Sequence, residues 1–111
     1  MKRGDIVYAD LSPTVGSEIN KRRPVLVVSN NANNRAASTL TVLPITSSLT
    51  RIFPFEVALS CADSGLPKDS KAQAQQIRTI SKERIQSRPL GRLAAAKLQE
   101  IDAAIRLHLA L

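Results

Sequence analysis

Lys21, Arg22 and Arg23 stand in a row before Pro24 and the most apolar run of the sequence, Val25-Leu26-Val27-Val28. Adjacent cations of this kind suit an anion. Proline fixes φ and has no N–H, so Pro24 is expected to open a strand rather than sit within one. The β-branched run after it, Val25 to Ser29, reads as that strand, buried on both faces. The segment from Ser12 to Arg23 is long for a hairpin connection and contains Gly16, as functional or mobile loops often do. A charged loop anchored on a rigid strand is a usual place for binding or catalysis.

Few other side chains could do chemistry. The one histidine, His108, lies near the apolar stripe of the C-terminal segment beside Ile101 and Ile105, where a partly buried structural role is expected. Histidine-pair chemistry is therefore excluded within one chain. There is no glycine-rich phosphate loop, no H-E-x-x-H and no G-x-S-x-G. Asp63 and Asp69 are loop carboxylates with no further ligand, so neither a metal nor a cofactor is expected. Cys61 is the only cysteine; it reads as a structural thiol and fits a reducing compartment. Sixteen Lys and Arg against nine Asp and Glu leave a formal charge of +7, which points to a polyanionic partner and favours nucleic acid. With one tyrosine, two phenylalanines and no tryptophan, base stacking would have to rely on Phe53, Phe55 or arginine planes.

The elements that must position these groups are mostly strands. Asp5 to Leu11 alternates, with Ile6 and Tyr8 on one face and Val7 and Ala9 on the other. Asn30 to Asn34 is turn chemistry leading toward a short helical turn. Leu40 to Thr46 is a third strand whose internal Pro44 argues for an edge or a bulge that re-aims Thr46. Phe55 to Leu59 alternates as a fourth strand, and Asp63 to Asp69 reads as a loop. From Lys71 to Ile80 the apolar phase slips by one, as in a strand bulged near Gln76. Ser81 can cap a single turn over Lys82 to Arg84. From Ala94 to Leu109 the residues Ala94, Leu98, Ile101, Ile105 and Leu109 recur at helical spacing, without an N-cap side chain. A single domain spanning 1–111 follows: mainly β, a small bent antiparallel partial barrel with a C-terminal amphipathic helix. The N-terminus does not read as a signal peptide and no apolar run reaches membrane-spanning length, so a cytoplasmic protein with no membrane partner is expected.

Taken in order, Lys2-Arg3-Gly4-Asp5-Ile6-Val7, Gly16-Ser17-Glu18, Arg23-Pro24-Val25, Pro44-Ile45-Thr46, Phe53-Pro54-Phe55-Glu56-Val57, Gln76-Ile77-Arg78-Thr79-Ile80 and the closing helix resemble the MazF/PemK family of bacterial toxin endoribonucleases. The likeness covers nearly the whole chain. It implies a homodimeric SH3-like barrel that cuts single-stranded RNA without a metal, leaving a 2′,3′-cyclic phosphate and a 5′-hydroxyl, and that is masked by an antitoxin, an acidic and partly disordered chain. It also implies that Arg23 and Thr46 are the catalytic pair.

That pairing makes chemical sense. In-line attack by a ribose 2′-hydroxyl builds charge on phosphate oxygens, which a guanidinium and a hydroxyl donor can hold. Arginine is a poor proton acceptor at neutral pH, so Glu18 is a rival candidate for the general base; as a carboxylate among Lys21, Arg22 and Arg23 it could equally be a salt-bridge partner. Lys21, Arg22 and Arg78 are candidates for holding the RNA backbone, and Ser17, Asn30, Ser47 and Gln76 for base edges. The alternative function is a non-enzymatic barrel that poisons a protein target such as a topoisomerase, or a nucleic-acid-binding module.

Overall fold

In the computed structural model, which describes residues 1–13, 15–16 and 21–111, the alternation of the first strand divides the core. From β1 (Asp5–Asp10), Val7 and Ala9 enter one hydrophobic cluster, while Ile6 and Tyr8 meet another on the opposite face. β2 (Arg22–Val27) pairs antiparallel with β1 and with β3 (Thr39–Thr46).

Pro24 sits inside β2, against expectation, and the register shows why this is tolerated. It pairs with Tyr8, whereas the β3 ladder begins only at Val25↔Pro44. Leu11 N–H donates to Lys21 O at 2.9 Å, so Tyr8↔Pro24 is a non-hydrogen-bonded pair and the proline nitrogen turns toward β3, just beyond the end of that ladder.

β3 changes partner along its far edge. Residues Thr39 to Val42 pair with β6 (Arg78–Ser81), and Ile45 and Thr46 with β5 (Ser70–Gln73). Between β5 and β6 the chain makes one 3-10 turn, Ala74–Gln76. The expected single strand with a bulge near Gln76 is therefore two strands, and Pro44 lies neither on an edge nor in a bulge. It occupies the gap between the two partners, where no ladder asks for its N–H.

β4 (Glu56–Leu59) completes one side of the sheet. On the other side, a two-residue strand β7 (Gly91–Arg92) pairs with Asp5 and Ile6 of β1. The seven strands run β4-β5-β3-β2-β1-β7, with β6 on β3. After β6, Ser81 caps a 3-10 turn at Lys82–Arg84 as expected, its Oγ accepting from Glu83 N–H. The chain then crosses to the free edge of β1: Ile85 bridges Ala9, Gln86 N–H donates to Tyr8 O at 2.8 Å and Leu90 N–H to Ile6 O at 2.7 Å. This crossing curls β1, β2, β3 and β6 round Val7, Leu11, Val25, Val27, Leu40 and Val42. The partial barrel expected from the sequence is thus present.

The second cluster, including Ile6, Leu26, Leu43 and Ile45, lies under α3 (Ala95–Leu109). That helix starts at Ala94 without a side-chain cap and buries Ile101 and Ala104. Its last turn is exposed, and Leu109, at 45%, is not part of the buried stripe. His108 is exposed too, its ring tilted against that of Phe55 with 6.0 Å between ring centres, rather than partly buried as expected.

Two short helices complete the fold. Asn30 caps α1 (Asn31–Ala36), accepting from Asn33 N–H. α2 (Cys61–Ser64) runs two residues into the stretch from Asp63 to Asp69 expected to be loop; its signal was Ser60-x-x-Asp63, a reciprocal capping box. α2 ends at Gly65 in the left-handed region, where a Cβ would sit 2.3 Å from Leu90 O, so backbone packs on backbone between α2 and β7. Cys61 is exposed, and Asp69 beside it pushes its thiol pKa up. Among the described residues no helix is long and apolar enough to cross a membrane.

Candidate active site

Carrying the Val25↔Pro44 register two residues outward places Arg23 opposite Thr46. Alternation then sets both on the barrel-interior face, shared with Val25 and Val42. Arg78 pairs with Val42 and so belongs to the same face. The two residues singled out from distant stretches of sequence are brought together at one mouth of the barrel.

Arg23 and Thr46 are both half-buried. Thr46 Oγ1 accepts from Ser48 N–H at 3.2 Å, which leaves its hydroxyl hydrogen free to donate to a substrate oxygen. Two further guanidiniums fix the rim. Arg78 donates to Leu11 O at 3.2 Å; Arg84 donates to Asp10 O at 3.0 Å and also to Ser12 O. Together they hold successive carbonyls where the chain leaves β1. The return is tied to the same point by Lys21 N–H donating to Ser12 Oγ at 2.8 Å. Lys21 itself has φ of 65°, a left-handed conformation costing an L-residue roughly 1–2 kcal/mol.

The basic run seen in the sequence is divided by strand alternation. Arg23 faces the barrel mouth, whereas Arg22 lies on the opposite face with its guanidinium 4.0 Å above the Tyr8 ring. Ser47 is exposed just beyond Thr46, and Gln76 is half-buried at the end of the 3-10 turn. Asn30 stands at the other end of β2, with its Oδ1 engaged as the α1 cap at 2.7 Å from Asn33 N. Ser17 and Glu18 lie outside the described residues.

Phe53 and Phe55 stack on each other at 5.2 Å, with Arg51 4.4 Å over Phe53 and His108 against Phe55. Their rings are engaged with the protein, so the expected use of these rings to stack bases finds no support in the arrangement. Asp63 is occupied in its capping box and Asp69 accepts from Cys61 N–H at 3.0 Å. Among the described residues no group of three or more His, Cys, Asp or Glu is placed to hold a metal.

Sequence reasoning missed two side chains. Arg84 falls on an irregular turn with no periodicity to mark it. Glu56 sits in a strand and is 6% exposed. Its Oε1 accepts from Phe53 N–H and Lys71 Nζ, both at 2.9 Å, and its Oε2 from Gln73 at 3.0 Å and Gln75 at 2.7 Å. Burial pushes its pKa up, but the hydrogen bonds from Phe53 N–H, Gln73, Gln75 and Lys71 outweigh it and hold the carboxyl at about 2. The anchor lies on β4 and β5, directly behind the strand end that carries Thr46, because Thr46 pairs with Lys71.

Fold and site define a small basic barrel with an arginine-lined mouth and a helix across its outer face. Residues 2–109 match the PemK-like, MazF-like toxins of type II toxin–antitoxin systems, and the chain belongs to this family. It is 48% identical to endoribonuclease MazF9 of Mycobacterium tuberculosis over 98% of this chain and 96% of that one. To endoribonuclease EndoA of Bacillus subtilis it is 38% identical, over 100% and 96%. Among solved structures, MazF from Deinococcus radiodurans superposes with a TM-score of 0.85 at 26% identity, covering 100% of this chain and 97% of that one. A mycobacterial endoribonuclease in complex with its cognate antitoxin superposes with a TM-score of 0.82 at 28% identity, covering 100% and 96%.

Proposed function

We propose that this protein is the toxin of a type II toxin–antitoxin pair and cleaves single-stranded RNA in the cytoplasm. The observation that carries the reading is the β2/β3 register, which sets Arg23 and Thr46 across from each other at a mouth ringed by Arg78 and Arg84. A 2′-hydroxyl gives its proton to a base and its oxygen attacks the adjacent phosphorus. The bond to the 5′-oxygen breaks, and that oxygen leaves with a proton. The products are a 2′,3′-cyclic phosphate and a 5′-hydroxyl. Arg23 holds two phosphate oxygens as charge develops and Thr46 donates to the same group. The nucleophile is part of the substrate, so DNA, lacking it, is spared.

Glu18 is our candidate for the base. Lys21, Arg22 and Arg78 are assigned to the RNA backbone, and Ser17, Ser47 and Gln76 to base edges; Asn30, capping α1 beyond the far end of β2, is not brought to this mouth. The antitoxin is an acidic, partly disordered chain that folds over the basic mouth, in keeping with the solved relative held by its own antitoxin. A homodimer belongs to the same reading, with exposed Leu107 and Leu109 at the end of α3 as apolar surface to cover; a monomer mass in solution would remove it.

The test is incubation with long single-stranded RNA in excess chelator. Fragments with 5′-hydroxyl ends are expected, and intact RNA across many sequences would overturn the reading. Run across pH with Glu18→Gln, the same assay should show a shifted acid limb; an unchanged profile would remove Glu18 as the base.

A further inference from the structure

Three successive carbonyls at the end of β1, those of Asp10, Leu11 and Ser12, are met by side chains where a sheet would supply backbone donors. Leu11 N–H donates to Lys21 O at 2.9 Å, and in a regular antiparallel pair Lys21 N–H would return the bond to Leu11 O. Instead, with a φ of 65°, Lys21 turns its N–H to Ser12 Oγ at 2.8 Å, and the Arg78 guanidinium takes Leu11 O at 3.2 Å. By alternation the Asp10 and Ser12 carbonyls point the other way, past the Ala9–Ile85 bridge, and both accept from one nitrogen of Arg84, Asp10 O at 3.0 Å. We propose that Arg84 is a positioning residue for RNA cleavage: it holds the end of β1, through it the Lys21 turn, and through that turn the start of β2 that presents Arg23. The proposal rests on the endoribonuclease reading.

The backbone of Lys21 shows that this corner is held against a preference. A left-handed residue that is not glycine persists only where its surroundings over-determine it. Both backbone groups of Lys21 are bound to the segment that Arg84 grips, the N–H to Ser12 Oγ and the C=O to Leu11 N–H. Two residues further on, Arg23 pairs with Ala9, the last residue of β1 that the returning chain bridges. Beyond that point the outer edge of β1 has Arg84 in place of a strand. Arg84 is itself fixed, since it closes a 3-10 turn capped by Ser81 and precedes Ile85, which packs on the barrel cluster.

The arrangement separates Arg84 from a phosphate-binding arginine. Its side chain is half-buried, among the described residues no carboxylate is paired with it, and its bonds run to main-chain oxygens as charge-assisted ones. Without it the Asp10 and Ser12 carbonyls lose their charged donor, the end of β1 loosens, and Lys21 is free to leave the left-handed region. Arg23 then shifts with the strand start. A displacement of about 1 Å in a group aimed at a reacting centre costs about 100-fold in rate, even when the change lies away from the chemistry.

Arg84→Met keeps the stem and removes the donors, and Arg84→Lys keeps a cation. In Arg84→Met, kcat for RNA cleavage should fall about 10- to 100-fold with KM little changed, and Arg84→Lys should recover part of the loss. In an Arg23→Ala background the same change should cost little more, because Arg84 acts through Arg23. Binding of 2′-O-methyl RNA, which cannot be cut, should keep its salt dependence; a log–log slope lower by about one would place Arg84 on a phosphate and overturn the positioning role. Apart from catalysis, amide exchange at Leu11 should quicken about tenfold in Arg84→Met while Val25 and Leu26 keep their protection. Should Arg84→Met fail to fold, Ser12→Ala, which removes the acceptor of Lys21 N–H, is expected to give the same fall in kcat. Wild-type cleavage in a folded Arg84→Met, its full loss repeated on top of Arg23→Ala, or unchanged exchange at Leu11 would each overturn the proposal. Absence of cleavage by the wild-type protein, with Leu11 exchange still quickened in the variant, would overturn the enzymatic reading and Arg84's part in it and leave the clamp on β1 standing.

Discussion

Replacing Arg23 by alanine is expected to lower RNA cleavage about 100- to 1,000-fold, the usual cost of removing one donor aimed at developing charge. The fold should survive the change. Arg23 stands near the open end of β2, where the backbone pairs with Ala9 whatever the side chain is, and the cores beneath it are built from Val25 and Leu26 onward. Melting temperature and circular dichroism should therefore stay close to wild type while activity falls. Arg23→Lys should recover part of the loss, since charge returns but the planar fork that holds two oxygens does not. Thr46→Val preserves shape and removes only the hydroxyl, so a smaller loss of about tenfold is expected. Both side chains address the same phosphate, and the double variant should lose less than the product of the single losses. Full activity in Arg23→Ala would sink the assignment of this mouth as the active site. Product ends read by gel and by phosphatase-independent kinase labelling supply the measurement.

The sequence made the two faces of the sheet legible because β1 alternates cleanly and because Pro24 and Pro44 mark positions where a ladder must stop. What it hid were features that depend on where the chain returns. The segment from Ile85 to Arg92 closes the barrel through backbone bonds to Ala9, Tyr8 and Ile6, which leave no trace in side-chain pattern. Arg84 could be recognised as a rim residue only once that return was known. Strand alternation also redistributes Lys21, Arg22 and Arg23, a contiguous charge run in one dimension, to different faces in three. The burial of α3 stops at Ile105 although the helical period continues through Leu109, a difference the period alone does not carry.

Glu56 should prove the most sensitive side chain for stability. Replacing it by alanine is expected to cost about 3–5 kcal/mol, because the change leaves a buried ammonium without its counter-charge. Lys71 is 8% exposed at its side chain and Glu56 1%, so water cannot substitute. The Gln73 and Gln75 side chains would lose their acceptor as well, and their own carbonyl oxygens are already buried without a donor. The double variant Glu56→Leu with Lys71→Met should recover much of the loss, since apolar groups need no partner. The same pair predicts a pH dependence of definite sign. The carboxyl has a pKa of about 2 in the folded protein against an ordinary value of 4.5, so as pH falls the unfolded chain takes up the proton first. Its contribution, on the order of 3 kcal/mol, is complete above about pH 5 and is lost as pH falls from there toward 2. Denaturant unfolding of the wild-type protein and the double variant at several pH values isolates this term from the other carboxylates. The stability difference between them should change by about that amount across the window; a difference that stays flat would show that Glu56 is not held as a carboxylate by this network. Because Lys71 pairs with Thr46, acid or substitution at Glu56 should also reduce cleavage at pH values where the protein is still folded, by loosening the strand end that presents the Thr46 hydroxyl.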